Sequence, residues 1–412
     1  MSNELKTDVA IIGAGPAGAV AAALLIRYGH RVTVLERESF PRFSIGESLL
    51  PQSMAYLEEA GMLPAVQQAG FQHKNGAAFE ADGRYFAFDF SDKLSSGWAT
   101  TYQVKRAHFD KILADEAARQ GADIRYGQTI TSFTETADGV ALGFEGQEGS
   151  GVVRARFCLD ASGFGRVLPK LLDLDRPSDW PVRQALFTHV VDHIDDRNFD
   201  RDKILITVHP QHRDVWFWLI PFADGTCSLG VVGEAELVQG VPGGEDAAKL
   251  RYWVSSVPNL SRLLAGAEWP LPIRRLTGYS AKVSRLWGGG FALLGNAGEF
   301  LDPIFSSGVT IALKSSFLAA AALDRHLRGE TVDWQTAFAA PLARGIETFR
   351  HFVEAWYTGD LQDIIFHAGR AEPKIRQMIC AVLAGYAWDE DNPLVARPGP
   401  RLAAIAELAR AA

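Results

Sequence analysis

The chain has 412 residues, a formal charge of −8, 47% hydrophobic residues and 22% charged residues. That balance belongs to a folded globular protein with a large core and room for two to three domains; its acidic sign speaks against nucleic-acid binding. Three cysteines, Cys158, Cys227 and Cys380, lie far apart with no C-x-x-C pair, so neither a disulfide framework nor a metal site is expected, and a cytoplasmic location is.

The run VAIIGAGPAGAVAAALLI, Val9 to Ile26, is the one stretch apolar enough to suggest a membrane span. Three glycines and a proline interrupt it near its start and no cleavage pattern follows, so no membrane association is expected. A buried strand, a tight turn and a helix account for it better. Gly13, Gly15 and Gly18 then form G-x-G-x-x-G between strand and helix. Gly13 makes the turn, Gly15 lets backbone approach a pyrophosphate, and Gly18 lets helix and strand pack closely. The next strand, RVTVLER, ends at Glu36, placed to accept from a ribose hydroxyl. Strand, motif, helix, strand and acid in that order predict a dinucleotide site. No second such unit follows: WGGGFALLGNAG is Gly-rich but lacks the spacing.

Farther on, GFQHKNGAAF (Gly70 to Phe79) sets Lys74 among apolar and small residues, with His73 beside it. HFDKILADEAARQGADIRYG (His108 to Gly127) reads as a helix and a strand, with Gly121 as the stop. CLDASGFGR (Cys158 to Arg166) is an apolar strand ending in Asp160. In DVWFWLIPF (Asp214 to Phe222) the alternation puts Trp216, Trp218 and Ile220 on one face of a strand, ahead of Pro221. Taken alone, that pattern fits an ordinary aromatic core as well as a functional wall. FALLGNAGEFLDPIFSSGV (Phe291 to Val309) predicts a strand, a turn and a helix from about Val309 to Leu327. Ser307 and Gly308 open that helix, where unpaired N–H groups attract an anion; Ser306 and Ser307 fit simple N-caps too. From about Val332 the chain reads helical with scattered aromatics, and residues 389–401 read as turns.

With these segments in place, the chain resembles the FAD monooxygenase and geranylgeranyl-reductase-like flavoproteins over nearly its whole length. Within that group it is similar to the flavin-dependent halogenases, in the phenol and pyrrole branch. Trp216-Phe217-Trp218-Leu219-Ile220-Pro221 matches W-x-W-x-I-P. FLDPIFSSG, Phe300 to Gly308, matches F-x-x-P-x-x-S-x-G, and FPRFSIGESLLP, Phe40 to Pro51, looks like the loop after the acid. The resemblance implies an α/β fold: a Rossmann-like FAD domain of the glutathione-reductase type, interleaved with a β-sheet substrate domain and a helical C-terminal segment. Residues 1–70, 105–172 and 275–330 fall to the first, 71–104 and 173–274 to the second, and 331–412 to the third.

The resemblance also assigns roles. FAD binding falls to Gly13, Gly15, Ala17, Gly18, Glu36, Arg37, Arg42, Ser48, Arg106, Asp160, Asn296, Gly308 and Val309. For Arg42 and Arg106 an ordinary surface place fits nearly as well. Relatives carry Gly-Asp where this chain has Gly295-Asn296; the amide still offers an acceptor and adds donors. Reduced FAD from a separate flavin reductase meets oxygen, forming the C4a-hydroperoxide, and chloride or bromide held near Ser307 and Gly308 attacks it. Trp216, Trp218, Ile220 and Pro221 wall the flavin off from the organic substrate, and Lys74 carries the halogen, as a chloramine or by hydrogen-bonding hypohalous acid. Tryptophan halogenases have a Glu where this chain has Phe305, so Phe305 is assigned to a substrate pocket for a ring that directs its own chemistry. That ring is phenolic or pyrrolic, free or bound to a carrier protein. Two rival readings are a flavin-dependent aromatic hydroxylase of the same fold and a flavin-binding protein without turnover.

Overall fold

The computed structural model describes residues 3–147, 149–367 and 372–411. Five parallel strands form the nucleotide sheet, in the order Phe291–Leu293, Phe157–Asp160, Val9–Ile12, Val32–Glu36 and Asp123–Tyr126. Its strands are short and apolar because helices cover it, as parallel sheets require. Helix Pro16–Arg27 is the innermost of these, buried from Pro16 through Leu25. It packs on the long helix Ser307–Leu327, where Ser316 Oγ donates to the Ala17 carbonyl at 2.7 Å. That long helix begins two residues before the start suggested by the sequence. Gly18 has the reason the motif implies: a Cβ there would lie 1.9 Å from the Gly13 carbonyl oxygen.

A four-stranded sheet of Asn3–Lys6, Gly149–Ala155, Gly139–Gly146 and Gln128–Thr136 flanks this unit. The second large layer has seven strands, in the order Arg274–Thr277, Arg183–Val191, Thr226–Glu234, Trp216–Pro221, Lys203–Val208, Gly76–Ala81 and Arg84–Asp89. Trp216–Pro221 lies inside this sheet, paired on both sides and buried on both faces. Phe217 and Leu219 face helices Asp246–Ser255 and Pro258–Leu263. Trp216, Trp218 and Ile220 face the main core. Opposite Trp218 stands Gly230, where a Cβ would fall 2.3 Å from the indole; only glycine leaves that space.

Gln72–Lys74 and Thr101–Gln103 make a small antiparallel pair. Helix Arg106–Arg119 and strand Asp123–Tyr126 occupy the segment read as helix and strand. The C-terminal region is helical, with long elements at Ala340–Tyr357, Pro373–Leu383 and Pro398–Ala411. Residues 389–401, expected to be turns, hold the short helix Pro393–Ala396 and the start of the last helix. Proline at the first helical position removes only a donor that has no intrahelical partner, so these prolines start helices instead of preventing them.

Candidate functional site: a flavin cavity and a buried lysine

A cavity of about 500 Å³ runs from the G-x-G-x-x-G turn to the face of the tryptophan strand. Gly13, Gly15, Ala17, Glu36, Arg37, Arg42, Ser48, Arg106, Asn296, Gly308 and Val309 line it, so the fold brings these separate segments together. Glu36 sits as the strand–acid spacing suggests. Its carboxylate accepts from the Ala14 N–H at 2.8 Å and the Glu38 N–H at 2.8 Å. Arg42 and Arg106 are not loose surface groups. Asp110, fully buried, receives Arg106 Nε at 2.7 Å and Nη2 at 3.0 Å, and Arg42 Nη1 lies 3.3 Å away. One carboxylate thus braces two guanidinium groups on the cavity wall, a planar donor geometry suited to phosphate.

The start of the long helix borders the same space. Ser306 has a left-handed backbone, φ 55°, and makes no side-chain cap, so the capping alternative for it is not realised. Ser306 and Gly308 line the cavity, whereas Ser307 is buried beside it. The turn at Asn296 is held from behind by Arg166, whose guanidinium donates to the Asn296 carbonyl at 3.1 Å. These groups fit FAD: a turn that admits a pyrophosphate, an acid for a ribose, two braced arginines and free helix N–H groups.

Two residues assigned to the cofactor, Gly18 and Asp160, are not on the cavity wall. Asp160 is fully buried. Its two oxygens accept from the Ser162 N–H at 2.9 Å and the Leu168 N–H at 2.7 Å. Burial raises its pKa, partly offset by those hydrogen bonds. Asp160 therefore shapes the turn that presents Ala161 to Gly163, which do line the cavity.

Trp216, Trp218 and Ile220 form the far wall, with Phe187, Ile204 and Ile206. The two indoles lie 5.9 Å apart, tilted by 48°, and Phe187 is 5.8 Å from Trp218. Both indole N–H groups are satisfied: Trp218 Nε1 donates to Ser228 Oγ at 3.0 Å and Trp216 Nε1 to the Tyr357 hydroxyl at 3.1 Å. Tyr357 and Tyr279 both donate to Asp302 Oδ2, at 2.9 and 3.1 Å, and the Arg183 guanidinium lies 3.3 Å over the Tyr357 ring. Burial raises the pKa of Asp302 and of both tyrosines. This hub ties the wall to the loop that leads into the long helix. Nothing in the local sequence around Tyr279 or Tyr357 signals it, because its members are scattered over 175 residues from Arg183 to Tyr357.

Lys74 is completely buried. Its amine donates to the Leu49 carbonyl at 2.8 Å and lies 5.4 Å from the Phe90 ring centre. Desolvation pulls its pKa down from 10.5 to about 7. His73, by contrast, is exposed and faces Asp202 at 3.2 Å. Lys74 does not line the cavity; Leu49, its acceptor, is two residues from Glu47, which does. The loop between them is stitched to the small strand pair, with Val104 N–H donating to the Glu47 carbonyl at 2.7 Å and Leu49 N–H to Tyr102 at 3.1 Å. Phe305 stands apart from the flavin cavity and packs edge-on against Phe352 and Trp356, each 6.1 Å away. With no polar group to place there, the site fills with aromatic core. Among the described residues no group of three metal-ligating side chains stands together, and no helix is long and apolar enough to cross a membrane.

Comparisons with known proteins agree with this architecture. The family model for the FAD binding domain matches residues 6–337. A 1H-pyrrole-2-carbonyl-[peptidyl-carrier protein] brominase from Pseudoalteromonas luteoviolacea is 30% identical, covering 94% of each chain. Tryptophan 2-halogenase of Chondromyces crocatus is 32% identical over 81% of this chain, which spans only 63% of that longer protein. The crystal structure of a flavoprotein/dehydrogenase from Cytophaga hutchinsonii is 42% identical, with a TM-score of 0.94 over 98% of this chain and 99% of that one. The chain therefore belongs to the FAD-binding flavoproteins and, among them, to the flavin-dependent halogenases, a family of oxidoreductases.

Proposed function

We propose that this enzyme halogenates an electron-rich aromatic ring, phenolic or pyrrolic, through Lys74. The observation that carries the reading is the Lys74 amine itself: fully buried, close behind the cavity loop, and drawn to about 7 by loss of water. Near neutral pH such an amine is available in its neutral, nucleophilic form to take up electrophilic halogen, while its protonated form donates hydrogen bonds.

FAD, when bound, supplies the oxidising equivalent from reduced flavin and oxygen; the residues here do the rest. The braced pair Arg42 and Arg106 holds the diphosphate, and Glu36 the ribose. The N–H groups at the start of the long helix hold chloride or bromide. Trp216, Trp218, Ile220 and the Pro221 strand end keep the organic ring from the flavin, so halide reaches the oxidant first. Lys74 then presents the halogen to the ring. The pyrrolyl substrate in the brominase relative's name favours an activated five-membered or phenolic ring, possession of a carrier protein being one way to deliver it. A separate reductase supplies the reduced flavin, since the chain has a single dinucleotide motif.

The cavity on the flavin side extends to Phe43 and Phe187, which favours one rival, a hydroxylase that admits the ring beside the flavin. A mass-spectrometric assay separates the two. Purified protein receives FAD, an unrelated flavin reductase with NADH, oxygen, and bromide or chloride, with a panel of free and carrier-bound phenols, indoles and pyrroles. A halogen isotope pattern supports halogenation; a halide-independent gain of one oxygen replaces it with hydroxylation.

A further inference from the structure

The cavity wall carries one buried ionisable pair that the lysine chemistry leaves unused. Glu47 lines the cavity and is 1% exposed. Its Oε1 lies 2.7 Å from His189 Nε2, while Oε2 is buried and has no hydrogen-bond partner among the described residues. A buried carboxylate oxygen without a hydrogen bond is costly, by roughly 1–3 kcal/mol or more, and unusual enough to need a reason. The two residues come from different bodies. Glu47 sits on the Phe40–Pro51 loop, and His189 on strand Arg183–Val191 of the seven-stranded sheet. The imidazole stands between Phe43 at 5.9 Å and Phe222 at 5.3 Å, and 14% of its side chain remains accessible. The pair thus reaches from a partly wet edge to the interior. Apolar rings flank the connection.

We propose that Glu47 and His189 are the proton inlet of the cavity. This rests on the halogenation reading and follows from its balance. One aromatic C–H, one FADH2, one dioxygen, one halide and one proton give the aryl halide, FAD and two waters. Hydroxylation of the same ring consumes no net proton: FADH2, dioxygen and the ring give the phenol, FAD and one water. A halogenase therefore has to bring in one proton per turnover without opening its cavity to bulk water. Glu47 gives up the proton on Oε2 toward the cavity that the residue lines, Oε1 takes a replacement from His189 Nε2–H, and Nδ1 of His189 takes a proton from solvent. The proton then sits on Oε1 and the imidazole carries its hydrogen on Nδ1, so rotation of the carboxyl group and of the imidazole ring resets the pair; no bond other than to hydrogen is made or broken. The charges facing it are few. Arg106 donates to the Ile45 carbonyl next to the loop, Arg274 lies 3.9 Å over the Phe43 ring, and Lys105, paired with Asp224, lies 5.4 Å over the Phe222 ring.

The test compares wild type, Glu47→Gln and Glu47→Ala. Histidine labelled with nitrogen-15 in the apoprotein reports the pair without turnover: the His189 signals should shift in Glu47→Gln. FAD affinity, from quenching of flavin fluorescence, should stay near wild type in both variants. Halogenated product per second should fall by about 10²-fold, and formate, a small acid able to occupy the space, should restore part of it in Glu47→Ala alone. Unshifted His189 signals overturn the pair. Wild-type turnover in Glu47→Gln, or activity lost only in proportion to FAD binding, overturns the proton role. If the wild-type product is hydroxylated instead of halogenated, the parent reading fails on its own, while the histidine signals still report on the pair.

Discussion

Two regions of the core that the tryptophan face belongs to are built differently. On the flavin side stands a cavity of about 500 Å³ whose polar groups are already positioned, with Asp110 bracing two arginines and Asp302 anchoring the wall through two tyrosines. Around the lysine the packing is close: Lys74 is sealed against Leu49 and Phe90, and elsewhere in the same core Phe305 packs edge-on against Phe352 and Trp356. The flavin cavity is already open, whereas on the proposed route a ring reaches Lys74 only by displacing packed side chains. The same sealing gives Lys74 its lowered pKa, because only a dry surrounding depresses an amine that has no cationic neighbour.

Substitutions on each side should separate these properties. Phe305→Ala removes packing against Phe352 and Trp356; it should lower stability by about 3–5 kcal/mol while leaving FAD affinity intact and admitting bulkier rings. Chemical denaturation and substrate profiling check this. Gly18→Ala strikes the other side. Its Cβ meets a backbone carbonyl, so stability should fall by about 3 kcal/mol and FAD binding should be lost, as flavin titration will show.

Lys74→Met should stabilise the protein near pH 7 by roughly 2–4 kcal/mol. The folded amine has its pKa near 7 and the unfolded one near 10.5, so the unfolded chain binds more protons between those values. Wild-type stability should rise with pH across that window, and the slope should shrink in the methionine variant. Urea unfolding at several pH values tests the sign. Tyr357→Phe leaves Trp216 Nε1 without its acceptor and takes one donor from Asp302; it should cost about 1–3 kcal/mol. A looser wall should also raise the share of oxygenated by-product, measurable by mass spectrometry.

Much of the flavin side is legible in the sequence because it depends on local pattern. Strand, glycine turn, helix and Glu36 lie within thirty residues, and Gly13 and Gly18 each have a steric reason. The tryptophan strand is legible as alternation, although burial on both faces comes from sheet position, which a single strand does not encode. The asparagine at 296 and the lysine at 74 draw notice only through resemblance to relatives. Asp160 misleads because a carboxylate at a strand end suits both a ligand and a turn; which N–H groups claim it depends on the following residues, Ser162 and Leu168. The aromatic packing of Phe305 against Phe352 and Trp356 depends on a helix far along the chain, which the local sequence does not encode. Glu47 with His189, and Asp302 with its tyrosines, join residues from 23 to 142 positions apart. Such pairs exist only once the chain has folded.

The most direct measurement is a single turnover with reduced flavin, oxygen and bromide, using a ring identified by the panel assay. A small diffusible halogen acceptor is run in parallel, for wild type and Lys74→Met. Wild type should brominate the ring, faster as pH rises through 7. Lys74→Met should bind FAD and still brominate the diffusible acceptor, yet leave the ring untouched. Ring bromination by Lys74→Met at the wild-type rate would contradict the account and move the halogen transfer elsewhere.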